Sequence, residues 1–173
     1  MNSLILPNTY IENIDTPLIY LAGPIRSAPN WQEDAIELLF SMERDLTIAS
    51  PRMARMAIDQ YIVCGDENRF KSQREWEWHY MDLASKNGAI LFWMPYEYKH
   101  HCDKPYGAVT RIELGQWMTR NLFDKSLRVC YGSDGQFPEI YLIKYDLKLH
   151  DPDKIIYNTL KDTCDEALRL ANE

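Results

Sequence analysis

The chain has 173 residues, 46% of them hydrophobic and 26% charged, with a formal net charge of −7 and a pI near 5.1. This composition excludes a disordered chain and argues against a nucleic-acid polyanion as partner, because phosphate-backbone binding draws on clustered Lys and Arg and no basic run exists. A small neutral ligand, or one carrying a single phosphate held by one or two arginines, stays compatible with the charge.

The first fifteen residues lack a basic stretch followed by a long apolar one, and nothing approaches about 18 uninterrupted apolar residues. A cytoplasmic protein without membrane attachment is expected. Cys64, Cys102, Cys130 and Cys164 lie far apart with no Cys-x-x-Cys, so reduced thiols are expected and neither a zinc site nor a disulfide framework. Without a Gly/Ser-rich or Pro-rich linker, residues 1–173 read as one domain.

Short apolar runs alternate with helical patterns, the signature of a layered α/β sheet. Residues 17–23 (PLIYLAG) read as a first strand, stopped by Gly23-Pro24. Asn30, with Glu33 three residues on, has the form of a capping box for a helix with Ile36, Leu39 and Phe40 buried. Residues 46–49 form a second strand, ended by Ser50-Pro51. Residues 53–70 mix a helical pattern with a Gly-Asp-Glu-Asn turn cluster, and a helix and a loop are expected there. Residues 72–86 predict a helix carrying Trp76, Tyr80, Leu83 and Ala84 on one face, stopped by Asn87-Gly88.

The continuous apolar run 89–94 (AILFWM) suits a central parallel strand covered on both faces. A polar loop leads to a helix over 108–121. Residues 127–131 and 140–145 are read as fourth and fifth strands, and Asp151-Pro152 as the start of a last helix with Ile156, Leu160, Cys164, Ala167 and Leu168 buried. The expected fold is a flavodoxin- or Rossmann-like three-layer sandwich with a mostly parallel five-stranded sheet.

Ligands of such sheets bind beyond the carboxyl ends of the strands. That rule points to the turn Gly23-Pro24-Ile25-Arg26-Ser27, to the loop after the second strand, and to the junction after the third. Glu113 lies early in the helix of that junction, where the macrodipole favours an ionised carboxylate suited to a nucleophile. At about 1.5 Å per residue, Glu77 sits roughly 16 Å above Gly88 and Asp82 about 9 Å above it, which makes Glu77 the better-placed second acid and keeps Asp82 as the alternative. Trp93, near the active end of its strand, is a candidate to stack on a planar ligand. His100-His101-Cys102-Asp103 are adjacent and cannot readily turn to one ion, so no metal is expected. No Walker motif, GxGxxG, HExxH or GxSxG occurs, and no cofactor is expected.

The ordered set Ile19-Tyr20-Leu21-Ala22-Gly23-Pro24-Ile25, Trp76-Glu77, Ile90-Leu91-Phe92-Trp93-Met94-Pro95, Tyr106-Gly107 and Thr110-Arg111-Ile112-Glu113-Leu114-Gly115 resembles the nucleoside 2-deoxyribosyltransferase family over about residues 18–131. The resemblance implies a double displacement in which Glu113, of the Glu-Leu-Gly element, is the nucleophile, Tyr20 orients it and Glu77 handles the leaving base. It also implies a homo-oligomer, and a nucleoside or nucleotide and a free nucleobase as small-molecule partners. The family's base-contacting aspartates fall near Tyr80 and Gly107 here, and its C-terminal site residues find no clear match.

Such chemistry is coherent: Glu113 attacks C1′ through an oxocarbenium-like transition state while an acid assists the departing base. A second reading is hydrolysis of deoxyribonucleoside 5′-monophosphates, since Gly-Pro-Ile-Arg-Ser is similar to the Gly-Ser-Ile-Arg turn of such enzymes; Arg26, Ser27 and Arg111 would hold the phosphate. The serine those enzymes carry before Glu-Leu-Gly is Gly107 here. A third reading is a non-catalytic nucleotide-binding module.

Overall fold

The computed structural model describes residues 1–52, 60–66 and 69–173. Its elements, in chain order, are β1 (Ser3–Ile5), β2 (Leu18–Ala22), α1 (Trp31–Met42), β3 (Thr47–Ala49), α2 (Gln73–Asn87), β4 (Gly88–Met94), α3 (Ala108–Phe123), β5 (Val129–Ser133), α4 (Ile140–His150), β6 (Ile156–Tyr157) and α5 (Leu160–Ala171). The strands form one parallel sheet in the order β1-β3-β2-β4-β5-β6. The α/β sandwich is as expected, with six strands in place of five. Half of the stretch read as a helix and a loop over 53–70, residues 53–59 and 67–68, lies outside the described residues.

β4 is buried along its whole length, as its unbroken apolar run requires at the centre of a sheet covered on both faces. Its register sets the two sides. Tyr20 lies beside Ile90, and Phe92 beside Tyr131, so these residues share a face, and Tyr20 meets Trp76 of α2 there with ring centroids 6.0 Å apart. Leu91, Trp93, Cys130 and Gly132 have the opposite parity. They meet α5: Cys130 Sγ approaches the Thr163 carbonyl at 3.7 Å, and a Cβ on Gly132 would fall 2.0 Å from Thr163 Oγ1.

Local chemistry starts and stops the helices. Ser72 caps α2 by accepting from the Glu75 amide at 3.3 Å, and Thr159 caps α5 by accepting from the Asp162 amide at 3.1 Å. Asn30 makes no side-chain cap bond; its amide donates instead to the Glu33 carboxylate, so the capping box is absent and the pair is a side-chain contact. Ile36 and Leu39 are buried as expected, while Phe40 is half-buried and packs against Tyr61.

Three expectations are corrected. The fifth strand read over 140–145 is helix α4: Ile140, Ile143 and Leu147 turn inward at helical spacing, while Tyr141, Leu142, Tyr145 and Leu149 are exposed. Asp151-Pro152 ends that helix instead of starting the last one, because a residue before proline is pushed out of the α region; the Asp151 amide bonds the Leu147 carbonyl and its carboxylate pairs with Lys125 at 3.0 Å. The last helix begins at Leu160, after β6. β1 goes unread because three residues carry too little pattern.

Candidate active site

A cavity of about 790 Å³ opens at the carboxyl end of β2, on the α2 and α3 side of the sheet. Tyr20 and Ala22 form its floor. The turn Gly23-Pro24-Ile25-Arg26-Ser27 forms one wall, Gln73 and Glu77 of α2 another, and residues 104–110 with Glu113 the third.

The Gly23 turn is fixed from behind. Gly23 has φ +152°, and a Cβ there would fall 2.2 Å from the Trp93 carbonyl oxygen and 2.8 Å from the Trp31 ring, so a side chain has neither room nor an easy conformation. Trp31 Nε1 donates to the Pro24 carbonyl at 2.9 Å. The Ser27 carbonyl, in a residue at φ +66°, accepts from the amides of Tyr98 at 2.7 Å and Lys99 at 3.3 Å. Opposite, the buried Tyr106 hydroxyl donates to the carbonyls of Pro95 at 2.9 Å and Tyr96 at 3.0 Å. It holds the loop from which Gly107, at φ +65°, turns the chain into α3.

Glu113 is the sixth residue of α3 and only 6% exposed. It sits beyond the first turn, where the macrodipole acts, so the expected helix-start stabilisation of its charge is small. Burial pushes its carboxyl above the ordinary glutamate range and the nearby Glu77 adds to this, against an opposing effect of Arg74. Arg74 Nη1 pairs with Glu113 Oε1 and, at 3.0 Å, with Glu77 Oε2. Gln73 Nε2 donates to the other oxygen of Glu77 at 3.1 Å. One guanidinium nitrogen therefore joins the two acids that the sequence singled out.

Tyr20 is 1% exposed. Burial, then the charges of Glu113 and Glu77, raise its hydroxyl well above the ordinary tyrosine range, so it is a neutral group beside the acids. It interacts with Glu113 electrostatically; among the described residues the hydrogen bond to Glu113 comes from Arg74.

The structure brings together Glu113, Tyr20, Glu77, Gly23, Pro24, Ile25, Arg26 and Ser27. It does not bring Asp82, Trp93 or Arg111 to this cavity. Asp82 lies further down α2 and pairs with Lys86 at 2.6 Å and Arg120 at 2.8 Å; partial burial works against its charge, but these two bonds hold its carboxyl below the ordinary range. Trp93 points to the opposite face of the sheet, since its parity differs from that of Tyr20. Arg111 lies over the Phe137 ring at 4.7 Å and donates to the Pro138 carbonyl at 2.7 Å.

The sequence reading assigns no role to Gln73, Arg74 or Lys104, and names Tyr106 and Thr110 only within the motifs that carry the resemblance. Arg74 left a local signal, three residues before Glu77 on one helix, where side chains meet. Its partner on α3 left none. Among the described residues no three His, Cys, Asp or Glu side chains converge as metal ligands, and His100 pairs with Glu97 at 3.0 Å. No described helix is long and apolar enough to cross a membrane.

A family model described as nucleoside 2-deoxyribosyltransferase like matches residues 16–130. No curated protein matches the chain. The matched span covers two-thirds of the sequence, runs from just before β2 into β5, and carries Tyr20, the Gly23 turn, Glu77 and Glu113. The chain thus belongs to the nucleoside 2-deoxyribosyltransferase-like family.

Proposed function

We propose that this protein cleaves the N-glycosidic bond of a 2′-deoxyribonucleoside and transfers the deoxyribosyl group to a second base through a glycosyl-Glu113 intermediate. The observation that carries this reading is the pairing of a buried carboxylate, Glu113, with a second acid, Glu77, across one cavity at the carboxyl end of the sheet.

In the first half-reaction a Glu113 carboxylate oxygen forms a bond to C1′ as the C1′–N bond breaks. The electron pair of that bond goes to the base nitrogen, and Glu77 supplies or shares the proton that the leaving base needs. In the second, an incoming base attacks C1′ from the face the first one left and frees Glu113. Tyr20, neutral and buried, offers a donor to the carboxylate or the sugar. The Gly23-Pro24-Ile25-Arg26 turn lines the substrate's path. Developing positive charge on the sugar is stabilised by the Glu113 carboxylate, which acts strongly where water is displaced.

Arg26, Ser27 and Lys104 on the cavity wall favour a second reading, hydrolysis of a 5′-monophosphate. Two features count against it. Arg111 is engaged with Phe137 and Pro138, and a side chain at Gly107 would meet the Phe137 ring at 2.7 Å. Exposed Tyr141, Leu142, Tyr145 and Leu149 on α4 support a homo-oligomer.

The test is incubation with deoxyinosine or thymidine, with and without adenine, followed by chromatography. A new nucleoside supports transfer. Free sugar without transfer, from these substrates or from the 5′-monophosphates, supports the hydrolase, and no change with any of them refutes both.

A further inference from the structure

We propose that Arg74 is a positioning residue for the Glu113 nucleophile, engaging Glu113 Oε1 and Glu77 Oε2 through one guanidinium nitrogen and leaving Glu113 Oε2 as the attacking oxygen. The proposal rests on the assignment of Glu113 as nucleophile.

Three observations support it. The first is burial. A carboxylate 6% exposed, with a second acid close by, is driven towards the protonated form, which cannot attack C1′. Around Glu113, α2 presents Arg74 and Glu77, β2 presents Tyr20, α3 itself presents Thr110, and Arg26 and Lys104 share the cavity. Arg74 is the cation in direct contact, and its pairing opposes the effect of burial.

The second is geometry. Among the described residues, Glu113 Oε2 accepts no protein hydrogen bond, whereas Oε1 is held by Arg74. The single contact anchors Oε1 to α2 and leaves Oε2 as the oxygen free to attack. The third is that Arg74 departs from a surface ion pair. Its side chain is 37% exposed, yet one nitrogen meets two acids from different helices, and its guanidinium lies 5.6 Å from the Trp78 ring centroid. Arg74 thus offsets part of the repulsion between the two carboxylates and holds Glu77 within reach of a leaving base.

The test has an arm that needs no turnover. With ¹³C-labelled glutamate, the Glu113 carboxyl, identified by its loss in Glu113→Gln, is titrated by NMR in wild type, Arg74→Met and Arg74→Lys. The midpoint should rise in Arg74→Met and return towards wild type in Arg74→Lys. Should Arg74→Met fail to fold, Arg74→Gln supplies the same comparison. In the kinetic arm, with deoxyinosine and adenine, kcat should fall about tenfold to a hundredfold in Arg74→Met, as for a misplaced catalytic group, with less change in KM. The acid limb of kcat/KM should move to higher pH, and Arg74→Lys should restore part of both.

An unchanged Glu113 midpoint in a folded Arg74→Met, or equal losses in the Met and Lys variants with no movement of the pH limb, overturns the proposal. Full turnover in Glu113→Gln defeats the nucleophile assignment instead, and the titration still reports whether Arg74 governs Glu113.

Discussion

Gly107 links the fold to the site, and replacing it tests that link quantitatively. It stands at φ +65°, where an alanine loses roughly 1–2 kcal/mol. A Cβ there would also fall 2.7 and 2.8 Å from two atoms of the Phe137 ring. That ring cannot yield easily: it is 1% exposed, lies against Tyr106 at 5.5 Å between centroids, and carries Arg111 on its face. Overpacking of this kind costs about 1–3 kcal/mol, and the reduced freedom of the unfolded chain returns about 0.4–1 kcal/mol. Gly107→Ala should therefore lose roughly 2–4 kcal/mol of stability, a fall in Tm of about 5–15 °C for a chain of this size. Gly135 and Gly115 are the controls. Gly135 has φ +84° with nothing within 4 Å, so Gly135→Ala should show the backbone loss alone, while Gly115, in the middle of α3 with open space around it, should gain slightly as alanine. Urea and thermal denaturation of the three variants measure the differences. A Gly107→Ala protein no less stable than Gly135→Ala would show that the ring gives way and that the steric argument is wrong.

Glu113→Gln should abolish turnover while leaving the fold intact at neutral pH. The sign follows from burial: the folded-state pKa of Glu113 is raised, so its favourable contribution is complete below the unfolded pKa and is lost as pH rises through the folded one. The neutral amide should melt no lower than wild type at pH 7, with any advantage vanishing in acid; a variant that keeps turnover or melts markedly lower refutes this. Glu77→Gln should slow nucleosides with poor leaving groups far more than activated ones, because general acid assistance matters most where the base departs reluctantly. Equal slowing of both types, read from paired kcat/KM values, removes Glu77 from that role. Finally, 2′-deoxyribonucleosides should be processed about a hundredfold better than ribonucleosides, since the 2′-hydroxyl destabilises an oxocarbenium ion and must be accommodated near C2′. Comparable efficiency on deoxyadenosine and adenosine would set the deoxyribosyl assignment aside.

The parts of the fold that could be read from the chain are those where one pattern has one meaning. Residues 18–22 and 88–94 are apolar along their length and flanked by breakers, and they form the fully buried strands at the sheet's centre. IYLIKYDLKLH is ambiguous. Its β-favouring side chains suggest a strand, but only Ile140 and Leu147 are buried, seven residues apart, and that spacing is visible only over a window longer than a strand. β6 spans two residues and pairs with β5, so it owes its form to its neighbour and carries no signal of its own.

At the site, helix geometry divides what could be read from what could not. If Glu113 faces the cavity, Arg111 cannot, because residues two apart on a helix point to opposite sides; the sequence already held that contradiction, and Arg111 lies on Phe137 instead. Asp82 lies five residues below Glu77, about 7.5 Å along the axis and turned away from it, so its retreat to Lys86 and Arg120 was also legible. The exclusion of Trp93 was not, since it depends on which residue of β4 lies beside Tyr20, and register is a property of the sheet. Nor was the Arg74–Glu113 pair, whose members stand 39 residues apart on different helices. A sequence names the acids of such a site, but the cation that pairs with them is chosen by how α2 and α3 come together.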